Sequence, residues 1–177
     1  GILRAVEVNH SEQVPAQVCV LAVGHSARDT FFMLKDRGLA MEPKAFAVGL
    51  RIEHPQSMIN QDLYGEPENN ILGSASYKVT HTCKNGRGVY SFCMCPGGYV
   101  VNASSEQGLL AVNGMSYQAR DGENANSAMI VTVTPEDFPE KGTLGGIAFQ
   151  RSLEKKPGNL ERERFRYSFL EISAPIR

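Results

Sequence analysis

Cys93, Cys95 and Lys78 are the side chains of this sequence best placed to do chemistry. The cysteines stand two apart in FCMCPGG (Phe92–Gly98), and Lys78 lies in an alternating segment ahead of them. A thiol attacks, or gives up electrons, only as the thiolate, and a nearby ammonium group lowers its pKa. Between the two segments, Lys84-Asn85-Gly86-Arg87 reads as a hairpin turn, because Asn-Gly suits the type I′ geometry. A register centred on Asn85-Gly86 sets Lys78 against Cys93, Val79 against Phe92, His81 against Tyr90 and Tyr77 against Met94. Val89, Ser91, Cys93 and Cys95 share one face of an extended strand, and Cys93 and Cys95 then lie on a polar face with Lys78, Thr80 and Thr82. On that geometry Cys93, Cys95 and Lys78 form a candidate catalytic set. The competing reading is that both cysteines are inert core thiols, as most free cysteines are.

The same hairpin bears on metal. His81, Cys83, Cys93 and Cys95 supply the elements of a Cys₃His zinc site. Cys83 lies near the turn, however, and Cys93 about five residues along the partner strand, roughly 16 Å away at strand spacing. His81 and Cys83 also face away from Cys93 and Cys95, so no metal ligands are assigned. Alternate strand residues lie about 6.6 Å apart at Cα, the outer limit for bridging, so a Cys93–Cys95 disulfide is not expected.

A second candidate precedes the hairpin. Val18–Val23 (VCVLAV) is a continuous apolar run, the mark of a strand buried on both faces. It leads into Gly24-His25-Ser26-Ala27-Arg28-Asp29, where Ser26 and Asp29 have the spacing of a capping box. The pattern predicts a helix over about Ala27–Arg37, with Phe31 and Leu34 inward and Gly38 as its C′ residue. The start of such a helix offers free N–H groups to a phosphate. An ordinary strand-to-helix connection would look the same. No G-x-G-x-x-G occurs anywhere in the chain.

These segments need a scaffold. Leu3–Asn9, Ala45–Ile52, Ser76–Cys83, Val89–Cys95, Tyr99–Val101 and Ser127–Thr134 read as strands, with a polar turn at His10–Gln13. Leu109–Asn113 and Met115–Ala119 read as a hairpin turning at Asn113-Gly114, and Arg120–Asn126 as a polar loop. Helices are expected over Gln56–Leu63, with Pro55 at its first turn and Gly65 closing it, and over Gly145–Lys156. Pro135–Phe138 reads as a turn or helix start. Phe165, Tyr167 and Phe169 alternate as a last strand in a charged tail. Arg51, Glu53 and His54 at a strand end read as a surface ion pair, and Arg87 between two glycines as a turn residue.

Bulk properties narrow the class. An apolar fraction of 42% in 177 residues is enough for a core, and a formal charge of −1 gives no reason to expect nucleic acid or an anionic membrane as partner. No apolar run approaches the roughly 20 residues that span a bilayer. GILRAVEVNH lacks the pattern of a signal peptide, and four dispersed cysteines lead us to expect the reducing cytoplasm.

The stretches VLAVGHSARDTFFML (Val20–Leu34), KAFAVGLRIEHPQ (Lys44–Gln56), GRGVYSFCMCPGGYVVNASSE (Gly86–Glu106), NGMSYQARDGENANSAMIVTV (Asn113–Val133) and GIAFQRSLE (Gly146–Glu154) resemble an uncharacterised family of bacterial FAD-dependent dehydrogenases. The resemblance runs across about Ala16–Glu154; the segment from Lys156 onward does not look like the family. It implies a middle portion of a flavoprotein oxidoreductase acting on a small organic substrate, with the rest of the flavoprotein chain as partner. The fold it implies is α+β, a mixed or antiparallel meander with a few short helices. Residues 39–144 would be an inserted substrate domain, 1–38 and 145–156 flavin-domain segments, and 157–177 an atypical tail. Ala22, Gly24, His25, Ser26 and Arg28 match the turn near the cofactor, with Arg28 free to meet a phosphate, and Cys93–Gly98, including Gly97 and Gly98, would face the flavin or the substrate. Without the glycine fingerprint the chain alone is expected to bind FAD weakly or not at all, and to be inactive. The alternatives are a stand-alone, non-catalytic binding module and a thiol or zinc protein.

Overall fold

The structure is a computed structural model that describes residues 1–155 and the strand backbone of 161–162 and 165–173. Its centre is a six-stranded antiparallel sheet. Strands β3 (Phe46–Pro55) and β8 (Asn124–Val133) pair along their whole length. On one face Val48, Val133 and Phe138 are buried with Phe46, Val131, Phe149 and Leu153. Helix α3 (Gly145–Glu154) contributes Phe149 and Leu153 to this cluster, and the Phe46 and Phe138 rings stack at 5.4 Å. On the other face Ala47, Ala128 and Ile130 pack with Tyr90.

Beside β8 lies β5 (Gly88–Cys95), followed at the edge by β4 (Thr80–Thr82). Beside β3 lies β10 (Phe165–Ser173), followed by β9 (Glu161–Arg162). The tail thus adds an inner strand to the sheet. Strands β6 (Gly98–Asn102) and β7 (Val112–Ser116) form a separate two-stranded sheet, as do β1 (Ala5–Val8) and β2 (Glu12–Pro15). Helix α1 (Arg28–Asp36) precedes the main sheet, and α2 (Gln56–Tyr64) follows β3 directly and ends at Gly65. The architecture is α+β. No helix among the described residues is long and apolar enough to cross a membrane.

Four expectations are corrected. Val18–Val23 is not a strand: Val18 and Val20 are 80% and 81% exposed, and Leu21 and Val23 are also exposed. A strand buried on both faces needs a neighbour on each side, and no described strand pairs with this run. Helix α1 has no capping box; its N-cap is Ala27, whose methyl group cannot accept a hydrogen bond. The Asn113-Gly114 pair is not a turn but lies within β7, opposite Val101 and Val100.

The fourth correction concerns the β4–β5 hairpin. Cys83 N–H donates to Arg87 O and Gly86 N–H to Cys83 O, which makes a three-residue loop, Lys84–Gly86, with Gly86 at φ 83°. The register moves by one, so Thr80 faces Tyr90 and His81 faces Val89. A slip of one residue exchanges the two faces of a strand.

Candidate functional site

The Cys93–Gly98 segment is held by a bulge, not by regular pairing. Phe92 faces Ala128 and Cys95 faces Asn126, so β5 carries one residue more than β8 across this interval. Cys93 takes up the excess at φ 46°, a conformation uncommon outside glycine. Its carbonyl accepts a hydrogen bond from Arg51 Nη1 at 3.1 Å and one from the Cys95 thiol at 3.3 Å. Arg51 Nη1 also donates to Asn126 Oδ1 at 2.7 Å. Arg51 and Asn126 are both 0% exposed. The expected surface ion pair at Arg51 is therefore overturned: its guanidinium is the buried anchor of the bulge.

Around this anchor, backbone groups are tied down by side chains from β3 and α2. Glu53 accepts from Asn124 Nδ2 at 2.8 Å and from Val100 N–H at 3.1 Å, so it fastens β6 to β3. Gln56 accepts from Gly97 N–H at 2.8 Å and donates to Asn60 Oδ1 and to the Ala75 carbonyl. Ser116 Oγ donates to Pro96 O at 2.6 Å. The turn after the cysteines is consequently fixed from three sides.

On the opposite face of β3, His54 is buried with its ring 5.6 Å from that of Tyr77. Burial lowers the His54 pKa, which favours the neutral imidazole. Burial raises the Tyr77 pKa, although Tyr77 has a hydrogen bond with Ser127 that works the other way. His54 lies within the protein interior, and Tyr77 is half-buried over it.

The structure does not assemble the expected catalytic set. Ser91 N–H donates to Val79 O, and Val79 N–H to Ser91 Oγ, each at 2.8 Å. Val79 thus sits beside Ser91, and Lys78 is exposed rather than opposite Cys93. Cys93 is exposed, Cys95 is half-buried, and the bulge ends their simple alternation. Among the described residues no group of three or more His, Cys, Asp or Glu side chains is placed to hold a metal ion.

The family pattern described as "FAD-dependent protein, C-terminal domain-like" matches residues 45–172, from the start of β3 into β10. The chain belongs to this family. A protein of Clostridium beijerinckii (strain ATCC 51743 / NCIMB 8052), described as uncharacterized, is 53% identical over 156 residues, which are 87% of this chain and 29% of that protein. The chain therefore spans under a third of the length of this relative. The match continues past Lys156 as far as Ile172.

As a member of an FAD-dependent family, the chain can be tested for its fit to a flavin. Ala22, Gly24, His25 and Ser26 form an exposed turn ahead of α1, with Gly24 at φ 75° and open space around it. That part leaves room for a ligand. Arg28 does not: it is 2% exposed and donates to Glu154 at 2.9 Å, to Glu106 at 2.6 Å and to Gln150 at 3.3 Å. Burial opposes its charge, and the bonds and field of the two carboxylates outweigh this, so its pKa is raised. Gly97 and Gly98 are packed against protein as well, since a Cβ on either would meet Arg120 O at 1.9 Å or Met115 O at 2.3 Å. The residues of this chain do not form a complete flavin cradle.

Arg87, read as a turn residue, instead ties the hairpin to the 3₁₀ turn Pro135–Asp137. It grips both Asp137 carboxylate oxygens, with Nη1–Oδ2 at 3.0 Å, and donates to Thr132 O at 2.9 Å. The bonds from Arg87 and from the Thr134 N–H lower the Asp137 pKa from 3.8 to about 2. Its stabilisation is whole above the unfolded pKa and disappears as pH falls from 3.8 through about 2. In urea unfolding, Asp137→Asn should lower the midpoint at pH 7 and show a shallower decline than the parent between these two values. Parallel declines would contradict this role for the ion pair.

Proposed function

We propose that this chain is the substrate-side portion of a flavin-dependent oxidoreductase, a dehydrogenase acting on a small organic molecule, whose FAD is held mainly by residues outside the chain. The observation that carries this reading is the family match over residues 45–172. Bound FAD would supply the electron transfer, and the protein position and electrostatics. Residues 39–144 would serve the substrate side, and 1–38 with 145–156 the flavin side. In support, α1 and α3, one from each flavin-side segment, are joined through Arg28 and Glu154. The bare apolar run Val18–Val23 and the open turn Gly24–Ser26 suit contact with the remainder of a longer protein.

Cys93 and Cys95 remain the thiols offered to substrate, Cys93 because the bulge leaves it exposed, whereas Lys78 has no part beside them. The longer protein should purify yellow, with flavin absorbance bands, and this chain alone should be colourless. In the longer protein, changing both cysteines to serine should slow substrate-driven flavin reduction by at least an order of magnitude. A colourless longer protein would overturn the flavin reading. Unchanged turnover would remove the thiols from the chemistry and leave the flavin reading standing.

A further inference from the structure

Asn85-Gly86 and Asn113-Gly114 are the two Asn-Gly pairs of the chain, and both asparagines are exposed. In such a pair the main-chain nitrogen after asparagine can attack the side-chain amide carbon, since glycine carries no side chain to block the approach. The two pairs differ in what holds that nitrogen. Gly86 N–H donates to Cys83 O at 2.9 Å, and Asn85 Oδ1 is turned to the Arg87 N–H at 3.1 Å. At Asn113 the ladder takes nothing from Gly114. Ala103 N–H donates to Ala111 O, and bonded pairs alternate along an antiparallel ladder, so Val101–Asn113 is a bonded pair and Val100–Gly114 is not. Val100 N–H accordingly leaves the ladder and donates to Glu53. Gly114 N–H points away from β6 as well, and it donates to Asn113 Oδ1 at 2.8 Å. The side-chain carbon bonded to that oxygen is thus held beside the nitrogen that would attack it.

We propose that Asn113 is a site of spontaneous deamidation, and that the fold, not the dipeptide, selects it over Asn85. Hydroxide removes the Gly114 amide proton, and the nitrogen forms a bond to Asn113 Cγ. The Cγ–Nδ2 bond breaks, and water returns a proton to the departing nitrogen, which leaves as ammonia. Water then opens the cyclic imide, at Cγ to give aspartate or at the main-chain carbonyl to give isoaspartate. Water is the only co-reactant. The isoaspartyl form adds the Asn113 methylene to the main chain of β7, immediately before the glycine whose Cβ position lies 2.1 Å from Asn126 Oδ1. The inference stands whether or not the flavin reading does.

The test is peptide mapping by mass spectrometry of the intact chain held in mildly alkaline buffer, with a parallel sample unfolded in urea. In the folded sample the peptide containing Asn113 should convert about fivefold or more faster than the peptide containing Asn85, the factor for first breaking one hydrogen bond at Gly86. Its products should be both the aspartyl and the isoaspartyl forms. In urea the two peptides should convert at similar rates, because the same dipeptide then has no fold around it. Retained amide protection across β3 and β8 will show that the first sample stays folded. Equal rates in the folded chain, conversion at Asn85 ahead of Asn113, or a preference for Asn113 that survives in urea would each overturn the proposal.

Discussion

Replacing Gly114 with alanine is expected to destabilise the domain by about 3 kcal/mol, the upper range for forcing atoms into a packed core. Strand β7 crosses the Arg51–Asn126 pair at this glycine. A Cβ there would lie 2.1 Å from Asn126 Oδ1 and 2.2 Å from Arg51 Nη1. Neither side chain can step aside freely, since each is fully buried and they bond to one another at 2.7 Å. Either β7 lifts away and breaks its pairing with β6, or the guanidinium leaves the Cys93 carbonyl and the bulge loses its anchor. Gly88 is the control. It has an ordinary φ and open space at its Cβ position, so its alanine variant should stay within about 0.5 kcal/mol of the parent. Urea unfolding of the two variants gives the comparison. A Gly114→Ala protein as stable as the Gly88→Ala one would show that the crossing is looser than the geometry requires.

Arg28→Met should release α1 from the rest of the molecule. The side chains of Arg28 and Glu154 are 3% and 4% exposed, and removing one partner of a buried pair costs about 3–5 kcal/mol because the other charge stays behind. The loss cannot exceed the free energy of docking α1, because beyond that point the helix detaches and Glu154 regains water. Amide exchange should therefore speed up across residues 28–36 while the β3–β8 amides remain protected. Arg28→Met with Glu154→Leu should recover most of the protection, since a matched apolar pair leaves no stranded charge. Failure of the double variant to recover would mean that Glu106 and Gln150, not Glu154 alone, depend on the guanidinium. Salt should not imitate the mutation, because ions screen a buried pair poorly.

Much of the scaffold was legible in the sequence, for reasons visible in particular residues. Strands β3 and β8 announce themselves by the segments AFAVGLRI and SAMIVTVT, α2 by the Pro55 and Gly65 that bracket it, and α3 by Ile147, Phe149 and Leu153. The errors all concern partners that local pattern does not name. An apolar run such as Val18–Val23 states what would cover it but not whether cover is present. Asn-Gly marks a turn in one place, and in the other a close crossing over a buried arginine. The candidate site suffered most. One extra residue at the bulge and one step of hairpin register separated Lys78 from Cys93. Arg51 was misjudged because a charge near a strand end usually reaches water. The available signal was its setting: Ala47 and Gly49 precede it on the same face, and Asn124 and Asn126 bring amides to that face from the neighbouring strand.

The position of β10 has a further implication, for synthesis. It follows β3, β5 and β8 in the chain, yet it occupies an inner place between β3 and β9. Throughout translation of the intervening residues, β3 presents a bare hydrogen-bonding edge that β10 later closes. The sheet of the nascent chain is not finished until β10 has emerged, and such long-range closure is slow. An early stop codon ahead of Phe165 would thus expose an inner strand of the sheet and invite the pairing between molecules that leads to aggregation.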